Sequence, residues 1–273
     1  MLPVRLWVET LAKERKNAMP LEIHTIPCLS DNYAFVIHDP VGGRTACVDV
    51  PEALPIQRFL RDRGWQLEDI LITHHHPDHI QGVEALHKSH GGRIIGNRHD
   101  RHRLPPLDLA VGPEEVEAVC GEEVHILDVP GHTVGHIAFW MPGAQVAFTG
   151  DSLMALGCGR LFEGTPAQMW DSLRALRDLP PETTICSGHE YTQGNARFAL
   201  SIDPENPDLI SRAEAVDAAR KRGEATVPST LATELATNPF LRADDPVLKQ
   251  ALGMAEADDV ETFAHIRAAK DRF

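Results

Sequence analysis

Short apolar runs closed by turn-forming residues fill most of the chain, and longer runs at helical spacing fill its last part. Leu21 to Ile26 and Tyr33 to Ile37 alternate or run apolar as strands do, with Ser30-Asp31-Asn32 as the turn between them. Thr45 to Val50 is a third such run. Leu54 to Arg63 has helical spacing and stops at Gly64. Ile70 to Ile72 predicts a short strand, Ile80 to Ser89 a helix, Arg93 to Ile95 another strand, and 100–112 a loop. Three later runs share one design, an apolar strand ending in a Gly-containing turn. They are Val124 to Val129 before Pro130-Gly131-His132-Thr133, Val146 to Thr149 before Gly150-Asp151, and Thr183 to Cys186 before Ser187-Gly188-His189. Beyond Tyr191 the pattern turns helical. Asn206 as N-cap, Pro207 as first helical residue and Gly223 past the end frame one helix. Leu231 to Thr237, Val247 to Met254 and Val260 to Lys270 are others. Strands first and helices after predict a mixed α/β domain with a helical appendage, divided as 19–190 and 191–273.

Composition narrows this without redirecting it. The chain has 273 residues, 42% hydrophobic and 24% charged, an ordinary globular profile. No window approaches the roughly 18 apolar residues of a membrane span. The net charge of −14 argues against a nucleic-acid partner, whose affinity comes largely from clustered Lys and Arg. Five scattered cysteines, Cys28, Cys47, Cys120, Cys158 and Cys186, predict reduced thiols and a cytosolic protein. Residues 1–18 carry no long apolar stretch and read as an N-terminal extension, either an added helix or the product of an over-long start before Met19.

The fifteen histidines change the picture, because they crowd. Thr73-His74-His75-His76-Pro77-Asp78-His79 lies where a strand gives way to a helix. His74 and His76, two apart, project to the same side of extended chain, and Asp78 and His79 follow at the bend. With His132, Asp151 and His189 at the other strand ends, seven nitrogen and oxygen donors accumulate. One tetrahedral catalytic metal needs three protein ligands. Seven donors with a carboxylate to share suit two metals, with Asp151 the natural bridge, and two-metal centres lower the pKa of a bound water toward roughly 7. The chemistry implied is hydrolysis. His75 and His136 read as structural or supporting residues.

These motifs, Thr-His-His-His-Pro-Asp-His followed by Gly131-His132-Thr133, Thr149-Gly150-Asp151 and Gly188-His189, resemble those of the metallo-β-lactamase superfamily. Within it the chain resembles the glyoxalase II, or hydroxyacylglutathione hydrolase, family from Leu21 onward. The segments that carry the second likeness are Leu29 to Tyr33, Gly157 to Thr165, His189 to Thr192, Asn238 to Arg242 and Arg267 to Phe273. The resemblance implies an α+β fold, an αββα sandwich with a C-terminal all-helical domain. It also implies one metal on His74, His76 and His132, a second on Asp78, His79 and His189, and Asp151 between them. Zinc is the first expectation, with iron or manganese also suited to imidazole and carboxylate.

By the same resemblance Arg160, Phe162, Tyr191, Arg267 and Lys270 would bind the glutathione part of a thioester. Arg160 stands where the family has lysine, and Phe162 where it often has tyrosine. A metal-bridging hydroxide, oriented by Asp78, would attack the thioester carbonyl of S-D-lactoylglutathione and release glutathione and D-lactate. The expected partner is that small molecule alone, with no nucleic acid or membrane, and the expected state is a cytoplasmic monomer. Lactonase, persulfide dioxygenase and non-catalytic metal-binding roles are the alternatives. A terminal pair of basic residues, Arg267 and Lys270, favours the glutathione thioesterase.

Overall fold

This computed structural model describes residues 20–273; the expected extension over 1–18 lies outside them. By compactness the chain divides into two units. One runs to Leu127 and includes Phe139–Ala147; the other comprises Asp128–Ala138 and Phe148–Phe273.

In the first unit β1 (Glu22–Cys28), β2 (Asn32–His38) and β3 (Thr45–Val48) pair antiparallel. β3 then pairs parallel with β4 (Leu67–Leu71), followed by β5 (Arg93–Asn97) and β6 (Leu109–Val111), giving the order β1-β2-β3-β4-β5-β6. A parallel neighbour needs a crossover, supplied by α1 (Ala53–Arg63). It ends as the sequence predicts, on Gly64 in the left-handed region at φ 69°, a conformation that costs glycine nothing. All seven residues of β2 are buried. The core packs Ile56 and Leu60 of α1 against Val36, Cys47, Ile70 and Ile72.

The helix predicted from Ile80 to Ser89 is two helices, α2 (Pro77–Ile80) and α3 (Val83–His90). The break falls at Gly82, whose N–H donates to the Val50 carbonyl at 2.9 Å. A Cβ at Gly82 would come within 2.7 Å of the Ala53 nitrogen and 2.9 Å of the Val50 oxygen, so backbone-to-backbone contact outweighs helical continuation here. β6 lies inside the stretch expected to be loop, because three residues are too few to show a period.

β7 (Val116–Val119), β8 (Glu122–Asp128), β9 (Ile137–Met141) and β10 (Val146–Gly150) come next. A two-stranded ribbon follows, β11 (Leu153–Met154) with β12 (Gly157–Cys158). Then come α4 (Pro166–Arg177), β13 (Thr184–Ser187), α5 (Thr192–Ile202), α6 (Pro207–Lys221) and β14 (Ser229–Thr230). The second sheet has the order β14-β13-β10-β9-β8-β7. The chain closes with α7 (Leu231–Thr237), α8 (Pro246–Ala251) and α9 (Asp259–Arg272).

Caps explain several of these boundaries. Thr165 and Gln168 form a reciprocal capping box at α4, and Asp258 and Glu261 form one at α9. Asn206 accepts from the Asp208 and Leu209 amides at the start of α6. α5 and α6 approach through Ala196, Ala199 and Ala213, with Leu156 of the ribbon turn in the same cluster. Phe198, Phe240, Phe263 and Trp170 form a chain of ring contacts at 5.9–6.1 Å. Each fully buried phenylalanine contributes about 1.5–3 kcal/mol. Among the described residues no helix is long and apolar enough to cross a membrane. All five cysteines are free and buried.

Candidate metal centre

The first unit brings four of the predicted ligands together on one turn. Proline confines its predecessor to extended backbone, so Pro77 holds His76 at φ −62°, ψ 141° and starts α2 in the next residue. His74 and His76, on this extended stretch, bring Nε2 of one to 3.2 Å from Nδ1 of the other. The His74 and His79 rings lie 4.2 Å apart. Asp78 Oδ2 is 3.9 Å from His79 Nε2.

A residue that sequence reading missed holds this turn. Asp49, 3% exposed, follows β3. Its Oδ1 accepts from the Thr73 amide at 2.8 Å, and its Oδ2 accepts from Thr73 Oγ1 and His79 Nδ1, both at 2.8 Å. The Thr73 hydroxyl oxygen lies 3.0 Å from His74 Nδ1. Because that hydroxyl gives its hydrogen to Asp49, it accepts from His74. Both His74 and His79 therefore carry a proton on Nδ1, which leaves Nε2 as the nitrogen a metal would take, with the carboxylate raising ligand basicity. Asp49 itself, with both oxygens occupied, supports the ligands. Its signal was present in the sequence: it too ends an apolar strand. Asn32 donates to the Asp78 carbonyl at 3.0 Å and to its Oδ2 at 3.1 Å, aligning that carboxylate. His75 is occupied elsewhere, with Nδ1 3.0 Å from Asp100 Oδ2.

The second unit brings the other three together. Asp151 Oδ2 lies 3.5 Å from His132 Nε2 and 3.3 Å from His189 Nε2, one carboxylate oxygen between two imidazole nitrogens. His132 donates Nδ1–H to the Arg160 carbonyl at 2.9 Å, which fixes its tautomer. His136 Nε2 accepts the Asp151 amide at 3.0 Å, so it positions the aspartate through its backbone. Between Asp151 and Arg160 the chain passes so close that Gly159 has no room for a side chain. A Cβ there would stand 2.0 Å from the Asp151 carbonyl oxygen and 2.9 Å from His132 Nδ1. Imidazole nitrogens with carboxylate oxygens among them fit divalent zinc, iron or manganese.

Residues 48–189 match the family model of the metallo-β-lactamase superfamily, and residues 190–273 match that of the hydroxyacylglutathione hydrolase C-terminus. A hydroxyacylglutathione hydrolase of Cereibacter sphaeroides (strain ATCC 17025 / ATH 2.4.3) is 60% identical over 255 residues, 93% of this chain and 100% of its own. One of Jannaschia sp. (strain CCS1) is 60% identical over 252 residues, 92% of this chain and 98% of its own. The chain belongs to the hydroxyacylglutathione hydrolase family. Among solved structures, ETHE1 from Myxococcus xanthus superposes with a TM-score of 0.64 at 23% identity, covering 92% of this chain and 90% of its own. The BLEG-1 B3 metallo-β-lactamase does so with 0.63 at 20% identity, covering 81% and 99%. At that identity the likeness concerns the fold. It is the expected α+β fold of metallo-β-lactamase type with a helical C-terminal part.

Of the five residues expected to meet glutathione in this family, four reach the surface. Tyr191 is 42% exposed, and its ring stacks on His189 at 4.5 Å and 10°. Phe162, 63% exposed, sets its ring edgewise to His132 at 5.2 Å. Arg160 is exposed, with Nε 3.8 Å from Asp271. Lys270 reaches the Gly194 carbonyl at 3.2 Å and lies over the Phe198 ring. Partial burial, then the positive charges of Arg267, Arg197 and Arg160, pull the Lys270 ammonium below its ordinary pKa. Asp271 lies among these cations, 3.8 Å from Arg160 and 3.0 Å from Arg267, and partly offsets their charge on Lys270. Arg267 differs. It is 5% exposed and donates to the Cys158 carbonyl at 2.8 Å and to Asp271 at 3.0 Å.

Proposed function

We propose that this chain hydrolyses the thioester of an S-(2-hydroxyacyl)glutathione, S-D-lactoylglutathione in the first instance, to glutathione and the 2-hydroxy acid. The observation that carries the reading is the helical segment 190–273, which matches the hydroxyacylglutathione hydrolase C-terminus and contributes the cationic cluster around Lys270. A lactonase has no use for that cluster; glutathione brings two carboxylates to it.

Two divalent ions, zinc in this reading, would supply a water of lowered pKa and polarise the thioester carbonyl. His74, His76 and His132 would hold one, Asp78, His79 and His189 the other, with Asp151 shared. The geometry within each unit supports this assignment: His79 and His132 each have Nδ1 engaged away from Nε2, and Asp151 Oδ2 lies beside two imidazoles. Asp78, held by Asn32, would orient the attacking oxygen. Lys270, Arg160 and Tyr191 bind the glutathione moiety, so that the peptide anchors what the acyl group alone cannot. Phe162 lies beside His132 and gives apolar contact. Arg267, buried, contributes through its bond to the Cys158 carbonyl. The departing thiol has an ordinary pKa near 8.5, so it leaves as thiolate without a strong general acid.

The same reading takes residues 19–190 as the metal-binding domain and 191–273 as the substrate-binding one. It takes the protein as a cytoplasmic monomer acting on a small molecule, in keeping with five free thiols and a net charge of −14. The test is loss of thioester absorbance with S-D-lactoylglutathione, before and after chelation of metal. Rapid turnover that chelation stops and zinc restores is the expected result. Fully metallated protein that leaves this thioester intact, yet acts on lactones or glutathione persulfide, would overturn it.

A further inference from the structure

The ribbon β11–β12 joins Asp151, one proposed ligand, to Arg160, whose carbonyl orients another. Two residues per strand cannot hold a ribbon by themselves. Its open end is closed by Gly159 N–H to the Ser152 carbonyl at 3.2 Å and Thr149 Oγ1 to the Leu153 carbonyl at 2.7 Å, and its turn is held by side chains from the helical segment. Asn238 Nδ2 donates to the carbonyls of Met154 at 3.1 Å and Gly157 at 3.0 Å. Asn195 Nδ2 donates to Ala155 at 3.0 Å, and Arg267 to Cys158 at 2.8 Å. The turn amide, on Leu156 at φ 56°, donates to Glu234 Oε2 at 2.8 Å. Glu234 has no exposed surface. Its Oε1 takes Ser229 Oγ at 2.6 Å and the Arg212 guanidinium, and its Oε2 also takes Asn238 Nδ2 at 3.1 Å. Donors arrive at both oxygens, so only a carboxylate satisfies the site.

We propose that Glu234 is a positioning residue of the metal centre. Its carboxylate fixes the Leu156 turn and through it the span from Asp151 to Arg160, and so holds His132 and Asp151 in ligating geometry. The inference rests on the metal reading of His132 and Asp151, not on the identity of the substrate.

Its test is Glu234→Gln. The amide oxygen turns to Arg212 and Ser229, leaving its NH2 against the Leu156 amide and the Asn238 donor, so the turn loses its acceptor. Supporting partners of metal ligands typically carry a 10–100-fold effect. The expected result is roughly a 10- to 100-fold loss of zinc affinity by chelator competition, with KM for the thioester little changed and kcat recovered in excess zinc. A lowered melting temperature with unchanged zinc affinity and stoichiometry would make Glu234 merely structural and overturn the proposal. Should Glu234→Gln not fold, Ser229→Ala removes one bond that holds the Glu234 carboxylate and leaves the Arg212 pair intact. A loss of a few-fold in zinc affinity then supports the proposal, and none refutes it. Wild-type protein that binds no zinc would sink the metal reading itself, and wild-type that binds zinc without thioester turnover would sink only the thioesterase reading.

Discussion

The two units solve the same problem, aiming imidazoles, by different means. In the first, four donors come from six consecutive residues, and a single buried carboxylate, Asp49, fixes two of them through side-chain bonds of 2.8 Å. In the second, His132, Asp151 and His189 come from three loops. There the backbone does the fixing: the Arg160 carbonyl on His132, the Asp151 amide on His136. A compact motif needs one buried anchor. A dispersed one needs the chain between its parts held still, and the ribbon from Leu153 to Cys158 is that chain.

Breaking the dispersed set at its centre should have the largest effect. Asp151→Ala removes the oxygen between two imidazoles, and losing several kcal/mol of charge stabilisation corresponds to roughly 10³-fold or more in kcat. Metal analysis should find that paired binding goes with it; a variant retaining two metals per chain would refute the bridge. Next in size is the anchor of the compact set. Asp49→Asn leaves either His79 or Thr73 without its acceptor, and roughly 10- to 100-fold weaker zinc binding is expected by chelator competition. If Asp49→Asn matches wild type, the compact motif supports itself and the contrast drawn above fails.

Smaller effects belong to substrate binding. Lys270→Met should raise KM for the thioester about tenfold with kcat unchanged, the mark of uniform binding lost. Because burial and neighbouring cations lower the Lys270 pKa from its ordinary 10.5, the ammonium loses its proton at a lower pH than a free lysine. KM should therefore rise as pH climbs toward 10.5, and the Lys270→Met profile should lack that rise. The sign for folding is opposite. In that window the unfolded chain binds more protons than the native one, so this lysine's contribution to stability improves as pH rises. Smallest is Phe162→Tyr, which returns a hydroxyl to the exposed ring edge beside His132; a KM lower by a few-fold is expected, measured by the same assay.

What could be read from the sequence follows the same division. His74, His76, Asp78 and His79 were legible because one turn holds them all, and Pro77 dictates how the chain enters and leaves it. His132, Asp151 and His189 were legible as strand-end residues in Gly-containing turns whose donors add up to a two-metal set, and only their division between the two metals came from resemblance. Asp49 ends a strand as they do but lies 24 residues before Thr73, its partner, and nothing in the linear pattern joins the two. β11 and β12 have two residues each, below any detectable period, and Glu234 sits inside an ordinary helical stretch. α4 was missed although Thr165, Pro166 and Gln168 announce it, a local signal overlooked. β6 and the break at Gly82 follow from pairing and close backbone approach, which no local pattern carries.

The crowding at Gly159 limits how this protein can change over generations. A single methyl there would strike the Asp151 carbonyl oxygen and the His132 ring together, pushing two proposed ligands apart in one step. Arg160, the next residue, has an exposed side chain and has freedom to vary. Selection for a new acyl group or a new thiol carrier has room to act on Arg160, Phe162 and Lys270. Gly159 offers none, because a side chain there meets backbone and ring at once.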